Sequence, residues 1–220
     1  VYRSQAAYGA GERIGNDRTG RINDFRDKAR GGLYKGMVFP EGTPLGGRPG
    51  LWNLAEAAEK RHDAKVAREY ELALPHELNH AQRVEVARDF ARAVVERYGV
   101  VAAVCLHAPN VKGKQRNHHA HILTSTRKYT AKGFGEKTRI LDRASTSRIE
   151  VDAIRAIWAK ICNAALERIG SKERVDHRTL KAQGIDREPT IHIGPAATDM
   201  ERRGVKTDLG DTNRRALAGE

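Results

Sequence analysis

Residues 100–126 read VVAAVCLHAPNVKGKQRNHHAHILTST, and this stretch decides the fold. Its two apolar runs, residues 100–106 and 119–126, are short and contain several β-branched side chains, as buried strands do. Residues 108–118 between the runs are polar, so we expect them to form a surface loop. The stretch therefore predicts an antiparallel hairpin of two buried strands.

A third strand and a helix are predicted just upstream of the hairpin. Apolar and acidic residues alternate through residues 66–74, which predicts a strand with one apolar and one acidic face. Asn79 and Gln82 then have the spacing of a capping box, which opens a helix. An apolar stripe with helical spacing continues from there to Gly99, where we expect the helix to end.

The segments before this strand are predicted to be a connector and a short helix. Residues 31–50 are rich in Gly and Pro, which favour turns and disfavour helix and sheet hydrogen bonding, so we expect an extended connector. From Trp52 to about Lys65 the charged residues recur at helical spacing, which favours a partly exposed helix.

Downstream of the hairpin the pattern weakens and then predicts a second long helix. Residues 127–146 have no regular period and are expected to be irregular. Ser147 and Glu150 have the spacing of a second capping box, and the apolar residues after them predict a long helix that ends at Gly170. The remaining residues are polar and have no strong period, so we interpret residues 171–220 as a polar extension.

Strands that pair locally, interspersed with two substantial helices, indicate an α+β fold. Helices are expected to flank a central antiparallel sheet in a two-layer or three-layer sandwich. A chain of 220 residues is long enough for one globular domain of good size. We therefore predict a single domain over residues 1–220, with residues 171–220 as an extension of the same domain.

The composition indicates a polyanionic partner and a soluble protein. Forty Lys and Arg residues against 28 Asp and Glu residues give a formal charge of +12 and a pI near 10. Cys105 and Cys162 lie in apolar runs, which favours neither a disulfide framework nor a cysteine zinc cluster and fits a reducing cytoplasm. No run approaches the roughly 20 apolar residues of a membrane helix, and no apolar signal segment begins the sequence. A monomer in the cytoplasm is expected.

Three histidines of the hairpin form a candidate metal site. His119 and His121 are two residues apart on a predicted strand, so their side chains leave the same face of the sheet. His107 ends the other strand, and the hairpin would place it across from this pair. Three neutral imidazoles leave a divalent ion its full charge and open coordination positions, which suits a catalytic Lewis acid. A structural metal usually requires a fourth protein ligand, and none is evident.

Basic residues are expected near this candidate site. Lys112, Lys114 and Arg116 lie in the loop between the two strands. Cations at that position could hold a phosphate backbone over the metal, although a solvated basic loop would have the same composition. Arg127 and Lys128 add positive charge just past the second strand, at its far end. All five are therefore candidate DNA-binding residues.

Two carboxylates are candidates for a catalytic role. Glu69 and Glu71 share the acidic face of the strand predicted over residues 66–74. One of them could orient a histidine ligand or accept a proton. The order of the strands decides between that role and an ordinary solvated face, so both interpretations stay open here.

Five segments resemble the MobA/MobL relaxases of mobilisable plasmids, which belong to a wider class with a His-hydrophobe-His motif. The matching segments are AAYGAGERI with DRTGRINDF, LWNLAEAAEKR, EYELALPHEL, the CLHAP and NHHAHILTSTR block, and RVDHRTLKAQGIDREPTIHIGP. They span nearly the whole chain in the order of the family, which makes the resemblance specific.

The resemblance implies a reaction at an origin of transfer. In such relaxases a tyrosine near the N-terminus attacks the scissile phosphate, which leaves a 5′-phosphotyrosyl enzyme and a free 3′-hydroxyl for later rejoining. The matching residue is Tyr8, in AAYGAGER, and Tyr2 is a second candidate. A phenol with a pKa of about 10 is a weak nucleophile at neutral pH, so it requires a base or a metal-polarised phosphate beside it. The implied cofactor is a divalent ion, Mn²⁺ or Mg²⁺, with Zn²⁺ as an alternative.

The family pattern is not matched at two places. Members begin with a strand before the tyrosine segment, and this sequence starts without one. A different residue often stands at His118, whose side chain should point away from His119 and is not expected to be a ligand.

The resemblance also implies partners, and other functions stay open. The expected partners are single-stranded DNA at the origin of transfer, relaxosome accessory proteins and a coupling protein, in a bacterial cytoplasm. A rolling-circle replication initiator uses a similar tyrosine and histidine pair, but the DHRTL and HIGP segments favour mobilisation. The remaining alternatives are an origin-binding module without catalysis and a metal-dependent nuclease in which water attacks.

Overall fold

The computed structural model describes residues 13–15, 17, 20, 22–24, 32–61, 63–109 and 116–219. The chain divides into two compact units, residues 1–175 and residues 176–220. That residues 171–220 extend a single domain stays a prediction.

Within its described residues, the first unit contains eight strands and three α-helices. In chain order they are β1 (Arg13–Gly15), β2 (Ile22–Asp24), β3 (Gly32–Val38), α1 (Arg48–Ala57), β4 (Ala67–Ala73), α2 (His80–Tyr98), β5 (Ala102–His107), β6 (His119–Ser125), β7 (Arg127–Thr130), β8 (Gly133–Lys137) and α3 (Ala144–Arg168). A 3₁₀ turn at Arg139–Leu141 precedes α3. Two small sheets pair β1 with β2 and β7 with β8.

The central element of the first unit is a four-stranded antiparallel sheet with the order β3-β5-β6-β4. β5 and β6 are the two inner strands and pair as the predicted hairpin, with His107 opposite His119. β4 is the strand with the acidic face, and its Glu71 lies opposite His121. The predicted α+β fold, with helices against a central antiparallel sheet, is confirmed.

One face of the sheet packs against α2 and α3 and forms the main core. Side chains from both layers meet there with 1% exposure or less; they include Val86, Phe90, Val94, Val104, Leu106, Ala120, Ile122, Cys162 and Leu166. Burial of each large apolar side chain stabilises the fold by roughly 1.5–3 kcal/mol. Because alternate residues of β5 and β6 are held in this core, the residues between them must point to the other face.

The other face of the sheet is covered by α1 at one end. Trp52 and Ala55 of α1 pack there with Ala67, Ala103 and Leu123. Along β6, Leu123 is the next residue on this face after His121, so the contact with α1 ends immediately before the histidines. Among the described residues, α1 therefore does not extend over the histidine end of this face.

The ends of α2 lie where the sequence predicts them. The Asn79 side chain accepts a hydrogen bond from the Gln82 backbone N–H at 2.9 Å, and the Gln82 side chain accepts one from the Asn79 backbone N–H at 2.8 Å. Gly99 ends the helix with a φ of 65°, a conformation in which glycine has no Cβ penalty. The first predicted capping box is therefore confirmed.

The connector predicted over residues 31–50 is wrong in its first part. β3 lies within it and pairs along β5, from Tyr34 opposite Leu106 to Val38 opposite Ala102. Tyr34 and Val38 pack against the main core, so one face of β3 does contain apolar residues. The strand is short and lies between segments rich in Gly and Pro, which concealed its alternation.

The irregular segment predicted over residues 127–146 is also wrong. β7 and β8 form a hairpin whose turn contains Gly133 with a φ of 92°. Tyr129 and Phe134 face each other across it, with 5.0 Å between ring centroids. Only these two aromatic residues mark the apolar face of the hairpin, which is too few for a recognisable period.

Two predictions about helix ends are wrong, and in both places a buried glutamate forms an ion pair instead. The helix expected from Trp52 to about Lys65 ends at Ala57, and Glu59 beyond it is buried in an ion pair with Arg127. Glu150 is not part of a capping box. Its carboxylate accepts hydrogen bonds from Arg97 and from the Tyr98 hydroxyl, the latter at 2.6 Å, and so links α2 to α3.

The second unit contains a 3₁₀ turn at Lys181–Gln183 and the helices α4 (Gly194–Arg202) and α5 (Asp208–Ala218). The Thr207 hydroxyl caps α5 by accepting a hydrogen bond from the Gly210 backbone N–H. Both helices are short and amphipathic, so the interpretation of residues 171–220 as a segment without a regular period is wrong at these two places. Among the described helices of the chain, none is long and apolar enough to cross a membrane.

The two predicted capping boxes provide a matched test of the fold. Asn79→Ala should lower the free energy of unfolding by about 1 kcal/mol, because the N-terminal N–H groups of α2 lose an acceptor. Ser147→Ala should change it by less than about 0.5 kcal/mol, because Ser147 lies inside α3 and does not cap it. Urea denaturation of both variants measures the difference, and equal losses would contradict the observed start of α3.

Candidate metal centre

Three histidine side chains converge at one end of the central hairpin. His107 is the last residue of β5, and His119 and His121 are the first and third residues of β6. Their ring centroids are 4.9–5.5 Å apart, and one ring nitrogen from each lies within 4.8 Å of the others. All three side chains are half-buried. The predicted convergence of the imidazoles is therefore present in the structure.

The strand register produces this convergence. His107 lies directly opposite His119, and His121 is on the same face one pleat further along β6. Leu106, next to His107, and Ala120, between His119 and His121, point into the main core with 1% exposure or less. Burial of the intervening residues thus fixes the face from which the histidines project, which we call the site face.

Hydrogen bonds orient the imidazoles of His119 and His121. Nδ1 of His121 lies 2.8 Å from a carboxylate oxygen of Glu69, and Nδ1 of His119 lies 3.2 Å from the backbone carbonyl of Asn117. A neutral imidazole that donates from Nδ1 has its lone pair on Nε2, the nitrogen then available to a metal ion. The acidic face of β4 therefore takes part in the site, and Glu69 is the carboxylate that contacts a histidine.

The contact between Glu69 and His121 shifts both pKa values. The hydrogen bond from His121 holds the pKa of Glu69 below its ordinary value. The same bond raises the pKa of His121, against the opposing effect of burial, and the negative charges of Glu69 and Glu71 add to the increase. A metal ion must therefore compete with a proton for His121 near neutral pH.

The donor set fits a divalent metal ion. Imidazole nitrogens bind such ions at about 2.0–2.2 Å, and nitrogens within 4.8 Å of one another need only small side-chain rotations to reach one ion. Three ligands do not fill the coordination shell, so further positions remain for a substrate oxygen. The cluster could thus hold a metal ion of the kind expected from the sequence.

The structure describes some of the other predicted site residues and not others. Glu71 is exposed and lies opposite His121 on the site face. Arg116 is exposed and lies three residues before β6. Tyr8, Tyr2, Lys112 and Lys114 lie outside the described residues, so their roles stay predictions. The Nδ1 atom of His118 is buried and has no hydrogen-bond partner among the described residues. Burial and, to a smaller extent, the positive charge of Arg83 lower the pKa of His118.

Arg127 and Lys128 lie beyond the end of β6 that is opposite to the histidines. Arg127 binds the buried carboxylate of Glu59 at 2.9 Å and also donates to the backbone carbonyl of Gly135. Lys128 pairs with Glu136 at 2.7 Å. Their proposed contact with DNA therefore stays a prediction, and it does not concern the metal cluster directly.

The sequence reasoning missed Lys35 as a residue of the site face. Lys35 of β3 lies opposite Cys105, and Cys105 lies opposite His121, so the three share one row across the sheet. The Lys35 side chain is exposed. The alternation of Tyr34, Gly36 and Val38 with Lys35 and Met37 was the available signal, but it lies within the segment interpreted as a connector.

The chain has relatives among mobilisation proteins. The MobA/MobL family model matches residues 3–203. The mobilization protein MobL of Acidithiobacillus ferridurans is 40% identical over 224 residues, which cover 90% of this chain and 59% of that protein. Mobilization protein A of Escherichia coli is 34% identical over 178 residues, which cover 73% of this chain and 24% of that protein. The chain thus spans less than two thirds of the length of these relatives.

A solved structure has a similar fold. It comes from work on the molecular basis of vancomycin resistance transfer in Staphylococcus aureus. The TM-score is 0.70, and the superposition covers 81% of this chain and 91% of that chain at 23% sequence identity. This similarity supports the α+β architecture and, at this level of identity, concerns the fold alone.

Adjacent histidines allow a matched test of the metal ligands. His119→Gln should lower the affinity for Mn²⁺ or Zn²⁺ by more than about 100-fold, because a ligand itself is lost and not only its hydrogen-bond partner. His118→Gln should leave the affinity unchanged, because His118 precedes β6 and is not one of the three histidines whose ring nitrogens converge. Isothermal titration calorimetry measures both values, and an equal loss in the two variants would contradict the assignment of ligands.

Glu69 should control the protons that metal binding displaces. At pH 7 the raised pKa of His121 keeps part of its imidazole protonated, so metal binding must release protons. In Glu69→Gln the pKa should fall towards its ordinary value, and fewer protons should be released. The affinity of the site with neutral His121 should still fall about 10- to 100-fold, because the orienting hydrogen bond is weakened.

Calorimetry in buffers of different ionisation enthalpy counts the released protons. Glu71→Gln is the matched control, since Glu71 acts on His121 through its charge and is not its hydrogen-bonded partner. Equal proton release in the wild type and in Glu69→Gln would contradict the proposed coupling.

Proposed function

Because this chain belongs to the MobA/MobL family of mobilisation proteins, we propose that it nicks and rejoins one DNA strand at a plasmid origin of transfer. The observation that carries the proposal is the cluster of His107, His119 and His121 on the site face. A half-buried cluster of three neutral ligands beside an oriented carboxylate has the composition of a catalytic metal site. The names of the two relatives reported above, which refer to mobilisation, support the same class of reaction.

We assign the nucleophile to Tyr8. Its phenolic oxygen would bond to the scissile phosphorus while the bond from phosphorus to the 3′ oxygen breaks. The DNA 5′ end is then esterified to Tyr8, and the released 3′ oxygen takes up a proton as a hydroxyl. The ester retains the energy of the original phosphodiester, so the reverse reaction can rejoin the strand without ATP.

The remaining groups of the site have separate proposed roles. His107, His119 and His121 would hold Mn²⁺, Mg²⁺ or Zn²⁺, which as a Lewis acid would stabilise charge on a non-bridging phosphate oxygen. Glu69 orients His121 and is the carboxylate in contact with it. Glu71 lies on the same face opposite His121, and we propose that it accepts the phenolic proton.

Positive charge near the site would position the DNA. Arg116, together with Lys112 and Lys114 of the loop before β6, would contact the phosphate backbone of an unpaired strand. Relaxosome accessory proteins and a coupling protein would act with the chain in a bacterial cytoplasm, where we expect the chain to be a monomer. The curated relatives are longer than the matched region, so the activity of a whole protein is part of this proposal.

Substitution of the proposed nucleophile tests the reaction. Wild-type protein, incubated with Mn²⁺ and labelled single-stranded DNA that carries a candidate transfer origin, should form a covalent adduct on a denaturing gel. Tyr8→Phe should abolish the adduct and retain DNA affinity, because only the attacking oxygen is removed. Tyr2→Phe is the matched control and should still form the adduct, which a chelator should prevent.

The other possible outcomes distinguish the alternatives. Cleavage without an adduct would favour a nuclease in which water attacks. Binding without cleavage would favour an origin-binding module, and an adduct only with a replication origin would favour a rolling-circle initiator. Each of these results would contradict the proposal.

A further inference from the structure

A basic cavity lies beyond the end of β6 that is opposite to the histidines. It has a volume of about 570 Å³ and is lined by Arg127, Glu136, Lys137, Arg139, Ile140, Arg143 and Thr146. The walls come from the β7–β8 hairpin, the 3₁₀ turn and the first turn of α3. Four of its lining residues are cations and one is a carboxylate, so the cavity has the charge to bind an anion.

Two of the cations that line the cavity, Arg127 and Lys137, belong to an ion cluster with excess positive charge, whose carboxylate Glu59 lies outside the lining. Glu59 has a side-chain exposure of 5%, and its carboxylate binds Arg127 at 2.9 Å and Lys137 at 3.0 Å. Burial raises the pKa of Glu59, but hydrogen bonds from Arg127 and Lys137 outweigh this effect and hold the pKa below its ordinary value. One ionised carboxylate thus faces two cations at neutral pH, and one positive charge remains uncompensated.

The outer rim adds two further cations. Arg139 and Arg143 are exposed, and in the described part of the chain neither guanidinium has a carboxylate partner. Glu136, the carboxylate of the lining, is paired with Lys128 outside the cavity wall. The rim is therefore positively charged after all the observed ion pairs are considered.

The start of α3 strengthens the potential at this rim. Arg143 is the N-cap residue of α3. No side chain of the described residues caps the helix, and its first turn contains no acidic residue. The first N–H groups of such a helix favour an anion, which normally is an acidic side chain or a ligand. The N-terminus of α3 therefore adds to the positive potential of the four cations, and the cavity does not depend on it alone.

We propose that this cavity is a second DNA contact, which binds the phosphate backbone at a distance from the metal centre. The inference rests on the proposed function only in taking DNA as the substrate. None of the described residues that line the cavity is aromatic, so base stacking is not available there. The contact would therefore recognise the backbone and be independent of base sequence.

The spacing of the two sites suits one continuous DNA. Arg127 follows His121 by six residues, or about 20 Å along an extended chain. Double-stranded DNA advances about 3.4 Å per base pair, so the two sites are about six base pairs apart. The cavity would hold DNA that flanks the nick and keep it bound after the strand is cut.

The test measures the affinity of the full chain for DNA without a cleavage step. The variant is Arg139→Gln with Arg143→Gln, and the probe is a labelled duplex with a single-stranded tail, of arbitrary sequence, in the absence of metal. Loss of two phosphate contacts should weaken binding about ten- to fiftyfold at 0.1 M salt and reduce the slope of log affinity against log salt by about two units.

Matched variants separate this contact from general charge and from folding. Arg155→Gln with Lys160→Gln removes the same charge from exposed positions of α3 outside the cavity, and it should change the affinity less than about twofold. Arg139→Lys with Arg143→Lys keeps the charge and should restore binding. Equal affinities and salt slopes for the wild type and the glutamine variant would overturn the proposal and favour an acidic protein surface as the occupant. Because no strand is cut, this result does not depend on whether Tyr8 is the nucleophile.

Discussion

The pairing register of β5 and β6 is the constraint on which the rest of the site depends. His107 lies opposite His119 only in the observed register, and a shift of one residue would turn every side chain of one strand to the other face. The core prevents such a shift, because Val104, Leu106 and Ile122 are buried to within 1% exposure on the face under α2 and α3. The position of the histidine cluster is thus fixed by core residues on the opposite face of the sheet.

The two ends of the site face differ in composition: one is packed against α1, and the other contains the histidines. At one end, Trp52 of α1 packs on Ala103 and Leu123 and contributes a small apolar core. At the other end the same strands carry three half-buried histidines and two acidic residues, with no contribution from that core. The neighbours of these histidines along the strands, Leu106 and Ala120, are buried on the opposite face, where they stabilise this end of the sheet. The cavity near Arg139 lies beyond the end that α1 covers, which places the two proposed DNA contacts at opposite ends of the sheet.

The sequence was sufficient for the parts of the fold with a strong local period. The hairpin, the acidic-faced β4 and the capped helix α2 were predicted because each has a regular sequence pattern, and the histidines followed from strand spacing. The strands β3 and β7–β8 were missed because so few of their residues are buried. The roles of Glu59 and Glu150 could not be predicted, since their partners are distant in sequence and Glu150 had the spacing of a helix cap. Likewise, the choice of Glu69 as the partner of His121 depends on the pairing of β4 with β6, which no local pattern specifies.

Anomalous diffraction from crystals that contain Mn²⁺ and a non-cleavable DNA analogue tests the central claim most directly. The account predicts one strong manganese peak within about 2.0–2.3 Å of a ring nitrogen of each of His107, His119 and His121, with a phosphate oxygen in an open coordination position. A manganese peak elsewhere, or a phosphate bound at the site with no metal between the three imidazoles, would contradict the claim.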